Sequence, residues 1–245
     1  MNFSGKIALV TGAAVGIGRA VALELAEYGA KLILLDVNYE KLESVKKELE
    51  AYASDTLIYE CDISNFDRVN EVVADAISHF GRIDVLVNNA AIWRYNASFL
   101  ETPMEEWHRF FNINVMGTVH VTKAVLPEMI KQKYGRIINV ASVAGVYGNK
   151  RMSQYSASKA AIITFTKSLA KEVIDDGILV NAVSPGTVTP ADIEDVNFSQ
   201  PNELSYMHRT GSDRENADLI CFLASDKATY ISGQNIQIDG CRRII

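Results

Sequence analysis

Residues 8–26 read ALVTGAAVGIGRAVALELA: an apolar run, a turn holding Gly12, Gly16 and Gly18, and then apolar residues three and four apart. The run Ile7–Val10 suits a strand buried on both faces. Ile17, Val21, Leu25 and Tyr28 share one face of a helix expected over Gly16–Tyr28. The spacing is GxxxGxG, not GxGxxG, and the physics is the same. One glycine turns the chain sharply, another lets backbone approach a pyrophosphate, and the helix N-terminus offers free N–H groups. The turn therefore predicts a nucleotide-phosphate site at Gly12, Val15, Gly16, Ile17 and Gly18.

The same alternation runs outward. Strands are expected at Leu32–Leu35, Thr56–Tyr59, Ile83–Val87, Arg136–Val140, Leu179–Val183 and Ile236–Ile238. Between them, helical periodicity covers Asn38–Ala53, Phe66–Phe80, Met104–Lys131, Ser153–Asp175 and Ser212–Leu223. Gly29, Gly81, Gly135 and Gly177 each follow a helix and precede a strand, as C-terminal caps do. Such βαβ units predict one α/β domain over residues 1–245. Its sheet is doubly wound, parallel and seven-stranded, with helices on both faces. The weakly periodic stretch at about 185–210 reads as a binding loop over the substrate.

Composition narrows the function. The chain has 245 residues and a formal charge of −6, with 48% apolar and 22% charged residues. That balance excludes disorder and argues against non-specific nucleic-acid binding. No apolar run reaches the ~18 residues that span a bilayer, and Met1–Lys6 leads into a strand with no signal-peptide pattern. Three cysteines without CxxC spacing fit reduced thiols in a cytoplasmic protein. The four histidines show no metal-binding spacing, so no metal is expected.

Asp36 directly follows the second strand and Val37 follows it. A carboxylate there accepts hydrogen bonds from ribose hydroxyls and repels a 2′-phosphate, so the charge pattern favours NAD and disfavours NADP. The alternative is an aspartate that merely leads into the next helix, where Asn38 caps. Tyr155 and Lys159 sit one turn apart on one helix face. A phenol is a poor base at neutral pH unless a nearby ammonium favours its ionised form. With that help it exchanges a proton with an alcohol or ketone, while Ser142, at a strand end, holds the reacting oxygen.

These motifs in order resemble the short-chain dehydrogenase/reductase family over nearly the whole chain. The carriers are TGAAVGIG, DVLVNNAA, NINVMG, SVAGVYGNKRMSQYSASK and NAVSPGTVT. The resemblance implies a Rossmann-type fold and an NAD(P)-dependent oxidoreductase of the 3-oxoacyl-reductase-like or secondary-alcohol dehydrogenase branch. It makes Tyr155 the general acid/base and gives Lys159 the nicotinamide ribose. Ser142 orients the substrate, and Asn114 helps hold a water linking Lys159 to solvent. Asp62 and Ile63 take the adenine, and Asn89 and Ala90 lie along the cofactor. Pro185, Gly186, Val188 and Thr189 border the nicotinamide. A homotetramer is implied, and the residues agree: the helices Met104–Lys131 and Ser153–Asp175 carry more apolar surface than one sheet face requires, which offers Phe110, Phe111, Phe165 and Leu169 as subunit contacts.

Ala91 stands where the family has glycine, which would strain a positive φ. The segment IDGCRRII and the helix start HRTGSDRENADL also depart from the pattern. Ala91–Tyr95, Val143–Met152 and the late loop are the expected substrate walls. Their cations Arg94, Lys150, Arg151, His208 and Arg209 are candidates to attract an anionic substrate. The leading expectation is an NAD(H)-dependent enzyme acting on a small-molecule secondary alcohol or ketone. The alternatives are an NADPH-dependent 3-oxoacyl-carrier-protein reductase and a non-catalytic dinucleotide-sensing relative. A serine hydrolase is disfavoured, because Val140 and Ala144 replace the glycines of a GxSxG elbow.

Overall fold

The computed structural model describes residues 1–188 and 193–243. Its seven strands are β1 (Ile7–Thr11), β2 (Lys31–Asp36), β3 (Thr56–Glu60), β4 (Val85–Asn88), β5 (Gly135–Val140), β6 (Ile178–Pro185) and β7 (Asn235–Ile238). They form one sheet in the order β3-β2-β1-β4-β5-β6-β7. Every pairing is parallel. The helices are α1 (Gly16–Glu27), α2 (Tyr39–Leu49), α3 (Phe66–Phe80), α4 (Met104–Phe110), α5 (Thr118–Gln132), α6 (Ala144–Tyr147), α7 (Ser153–Val173) and α8 (Asp213–Ala224).

The unbroken apolar strands are explained by two cores. Ala8 and Val10 point to one face of the sheet and meet Val21, Leu25, Leu42, Ile220 and Leu223 from α1, α2 and α8. Ile7 and Leu9 point to the other and meet Val69, Val73, Val121, Val125 and Leu169 from α3, α5 and α7. A strand covered on both faces has no polar side to alternate with. Strands are added outward in one direction from β1 to β3 and in the other from β4 to β7, and the crevice at such a switch point, beyond the strand C-termini, is where ligands bind in open α/β sheets.

Three sequence readings need correction. Gly29, Gly81 and Gly177 adopt positive φ after their helices, but Gly135 does not; Lys133 takes the left-handed position instead, at φ 54°. Gly135 opens β5, and a Cβ there would lie 2.6 Å from the Met129 sulfur, so close packing explains that glycine. The helix expected over Met104–Lys131 is α4 and α5 joined by a π-helical stretch, Phe111–Gly117. Finally, Phe110 and Leu169 are buried within this chain, and Phe165 packs on the second core. Phe110 and Leu169 are therefore spent within the core, while Phe111 and Phe165 are only partly buried.

Candidate active site

A cleft of about 670 Å³ opens beyond the C-terminal ends of the strands. At one end it is lined by Gly12, Val15, Gly16, Ile17, Asp36, Val37, Asp62 and Ile63. Tyr155, Ser142, Lys159, Pro185, Gly186 and Val188 line it further along, with Asn89 and Ala90 between.

The glycine turn is built by close approach. A Cβ on Gly18 would lie 2.1 Å from the Gly12 carbonyl oxygen, so Gly18 works behind the cleft wall and does not line it. Gly12 itself adopts φ +64° against Ala90. Asn89 spends its amide bracing this turn, with Nδ2 donating to the Thr11 and Gly12 carbonyls at 3.0 Å each. The Asn89 and Ala90 N–H groups donate to Thr11 Oγ1 at 3.0 and 3.1 Å, tying the ends of β1 and β4 together. Val15 caps α1 with no side-chain hydrogen bond, and the first turn holds no acidic residue. The first N–H groups of α1 are therefore left for an anion.

Asp36 serves the same turn. Its Oδ2 accepts from the Ala14 N–H and Oδ1 from the Asn38 N–H, both at 3.0 Å. Asn38 accepts from the Lys41 N–H and caps α2, while Asp36 faces the cleft. Asp62 is exposed at the end of β3, with Oδ1 accepting from the Ser64 N–H at 2.9 Å. Asp213, at the start of α8, also lines the cleft; burial pushes its carboxyl up to about 6, against the pull of Arg19. These features fit a dinucleotide: a free helix N-terminus over a glycine cradle, and a carboxylate at the end of β2.

Further along the cleft, Ser142 and Tyr155 line the wall together. Burial raises the tyrosine's pKa, and the neighbouring Ser142 hydroxyl opposes the rise. Phe110 meets the Tyr155 ring edge-on, with centroids 6.3 Å apart. Ser142 Oγ accepts from the Ala144 N–H at 3.1 Å, within the turn that opens α6. Lys159 is 4% exposed and burial brings its ammonium down to about 8. Its Nζ donates to the Val140 carbonyl at 2.7 Å and stands 5.9 Å from the Tyr155 ring centre.

Asn114 spends its side chain on the Ile92 backbone and on Ser158. It is fully buried in the π-helical stretch and does not line the cleft. Its Oδ1 accepts from the Ile92 N–H at 2.8 Å, and its Nδ2 donates to the Ile92 carbonyl at 3.0 Å and to Ser158 Oγ at 3.1 Å. Ser158 Oγ donates in turn to the Tyr155 carbonyl at 2.7 Å. Asn114 thus locks the cleft wall at Ile92 to the helix that carries Tyr155 and Lys159.

Of the expected substrate walls, Ala91, Ile92, Trp93, Asn149 and Met152 line the cleft; Arg94, Tyr95, Tyr147, Lys150 and Arg151 do not. Ala91 is not among the residues with positive φ, so alanine is unstrained there. His208 and Arg209 are spent elsewhere: Arg209 makes two hydrogen bonds to Glu215, at 2.9 and 2.6 Å, and His208 lies 3.8 Å from Glu203. Thr189 lies outside the described residues. Sequence reading missed Asp213 and Arg242 as cleft residues. The departures of both segments from the family pattern were the available signal.

Comparison with known proteins agrees with this geometry. The profile of the short chain dehydrogenase family matches residues 6–201. The 3-oxoacyl-[acyl-carrier-protein] reductase FabG of Thermotoga maritima is 43% identical over 243 residues, covering 98% of each chain. The 3-oxoacyl-[acyl-carrier-protein] reductase of Synechocystis is 40% identical over 242 residues, covering 97% of this chain and 96% of that one. Among solved structures, NAD+-bound xylitol dehydrogenase superposes with a TM-score of 0.91 at 36% identity, covering 98% of this chain and all of its own. Levodione reductase gives 0.91 at 32% identity, covering 98% of each.

Proposed function

The chain belongs to the short chain dehydrogenase family and is an oxidoreductase acting on CH–OH or keto groups; from that premise we propose that it interconverts a small secondary alcohol and its ketone with NAD(H). One observation carries the reading: Ser142, Tyr155 and buried Lys159 share a single cleft with a glycine turn whose neighbouring carboxylate is Asp36.

When bound, the coenzyme supplies the site that accepts or returns a hydride. The α1 N-terminus with Gly12, Gly16 and Ile17 would hold its phosphates, Asp36 the adenosine ribose, and Asp62 and Ile63 the adenine. Asp36 carries negative charge, and Val37, 65% exposed, supplies no cation to a 2′-phosphate. Those two side chains support NAD over NADP. Pro185, Gly186, Val188 and Thr189 would border the nicotinamide, and Lys159 would hold its ribose.

Tyr155 gives its hydroxyl proton to the ketone oxygen during reduction and takes it back from the alcohol during oxidation. Burial favours the protonated phenol at neutral pH, the form needed as an acid. The protonated Lys159 favours the phenolate that proton donation leaves behind. Ser142 Oγ shares the reacting oxygen with Tyr155 and fixes its direction. Asn114 is a positioning residue in this scheme, acting through Ile92 and Ser158.

A second reading, 3-oxoacyl-carrier-protein reduction, is favoured by the 43% identity to the Thermotoga enzyme. The formal charge of −6 speaks against docking an acidic carrier protein. We also propose a cytoplasmic homotetramer. Its unpaired thiols Cys61, Cys221 and Cys241 suit a reducing compartment. No helix among the described residues is long and apolar enough to cross a membrane.

The test is nicotinamide absorbance with NADH and NADPH against sugars, polyols, hydroxy acids, sterols and 3-oxoacyl thioesters. NAD-linked turnover of an alcohol or ketone is expected. A stronger NADPH-linked rate on thioesters would replace this reading with the second, and inactivity across the panel would reject both.

A further inference from the structure

Two basic side chains line the cleft among the described residues, Lys159 and Arg242. The first is assigned to the chemistry above. The second comes from the segment after β7 and enters where Asn149, Met152 and Tyr155 also line the wall.

Arg242 is fixed at both ends. Its backbone pairs with Ser205 in an isolated antiparallel bridge. On either side, the Tyr206 N–H donates to the Cys241 carbonyl and the Arg243 N–H to the Leu204 carbonyl, both at 2.9 Å. Its side chain reaches across to Asn149, with Nη2 donating to Oδ1 at 3.0 Å. The Asn149 N–H donates to Ser156 Oγ at 3.1 Å, and Ser156 adjoins Tyr155. A short chain of hydrogen bonds therefore sets the guanidinium relative to the reacting hydroxyl.

No ion pair joins Arg242 to a carboxylate among the described residues, whereas Arg209, Arg214 and Arg243 each have an acidic neighbour. Three carboxylates among the described residues line the cleft: Asp36 and Asp62 stand beyond β2 and β3, away from Ser142 beyond β5, and Asp213, at the start of α8, faces the charge of Arg19. A half-buried guanidinium, held rigid in a concave site with one neutral partner, lacks the planar anion its fork of N–H donors matches.

We propose that Arg242, oriented by Asn149, binds a carboxylate or phosphate on the substrate itself, so that the alcohol or ketone turned over is an anion. The proposal rests on the oxidoreductase reading of the cleft and adds the substrate's charge to it. It also sets the substrate apart from a carrier-bound acyl thioester, whose reacting end is neutral.

The experiment compares two matched pairs with NAD+: 3-hydroxybutyrate against its methyl ester, and glycerol 3-phosphate against 3-methoxy-1,2-propanediol. A charge-assisted contact of this kind predicts a preference of roughly tenfold or more in kcat/KM for the anion of at least one pair. The pair showing it distinguishes carboxylate from phosphate. The preference should shrink as salt rises, collapse toward one in R242Q, and survive in part in R242K. A ratio near one in both pairs, or a ratio that R242Q leaves intact, overturns the proposal. Calorimetric titration of the same two anions, with NADH present, keeps the proposal separate from the oxidoreductase reading. If no probe is turned over, yet an anion binds the parent and binds R242Q roughly tenfold more weakly, Arg242 is upheld and the redox reading falls. Binding of neither anion overturns the role of Arg242. Turnover of the neutral partners without preference also overturns it, and leaves the redox reading standing.

Discussion

The two ends of the cleft are made in different ways. The coenzyme end comes largely from one continuous unit, β1–α1–β2, with the ends of β3 and β4 beside it. Its polar groups are tied into the backbone: Asn89 and Thr11 brace the glycine turn, and Asp36 accepts from Ala14. The substrate end is assembled from four separated pieces: the loop after β4, the turn around Asn149, the stretch after β6 and the segment after β7. Here the side chains are more open, with Trp93 48% exposed. Tyr155, Ser142 and Lys159 stand between. Regular elements fix what every substrate of such a cleft would share, and loops carry what differs.

The sharpest way to break this contrast is at the seam. Tyr155→Phe removes one oxygen and is expected to lower kcat by roughly 10³-fold, while NADH affinity, read by fluorescence titration, changes by less than about threefold. A large loss of NADH affinity would mean that the two ends are not separable. A smaller effect is expected at the coenzyme end. Asp36→Asn keeps an acceptor for the Ala14 N–H and removes the charge. The ratio of kcat/KM for NAD+ to that for NADP+ should fall by roughly tenfold, with little change in substrate KM. An unchanged ratio would show that Asp36 supports the turn and does not select the coenzyme.

The smallest effect concerns the scaffold beneath the coenzyme end. Glu24 is fully buried between α1 and α8, and burial, with Asp218 nearby, pushes its carboxyl up to about 8. The folded state thus keeps a proton that the unfolded chain releases near pH 4–5. Stability from this group is full below that range and is lost as pH rises toward 8. In Glu24→Gln the melting temperature should gain on the parent by roughly 2–4 °C between pH 5 and pH 8. No relative gain would show that Arg214, 3.7 Å away, already balances the charge.

Legibility in the sequence follows the same divide. The glycine turn, Asp36, Ser142, Tyr155 and Lys159 were readable because each belongs to an element whose period or neighbours announce it. Other features depended on partners distant in the chain. Phe110 and Leu169 read as spare apolar surface, because periodicity shows an apolar face but not which layer covers it. The π-helical stretch is invisible in periodicity, since one wide turn barely shifts the pattern over a long helix. Arg209 read as a free cation, and its neutralisation by Glu215 comes from the capping box of α8, where Ser212 and Glu215 satisfy each other. Arg242 reaches the cleft only because Ser205 and Asn149 place it there.

The buried amide of Asn114 has a consequence for how such an enzyme changes over evolution. Because it clasps Ile92 on one side and Ser158 on the other, reshaping the wall after β4 also disturbs the tilt of the helix that bears Tyr155 and Lys159. Selectivity altered from that side carries a penalty in rate. The segment after β7 is tied to α7 more lightly, through Asn149 and Ser156. Substitutions there can retune what enters the pocket while the reactive constellation stays in register, which makes that segment the cheaper place for descendants of this chain to acquire new substrates.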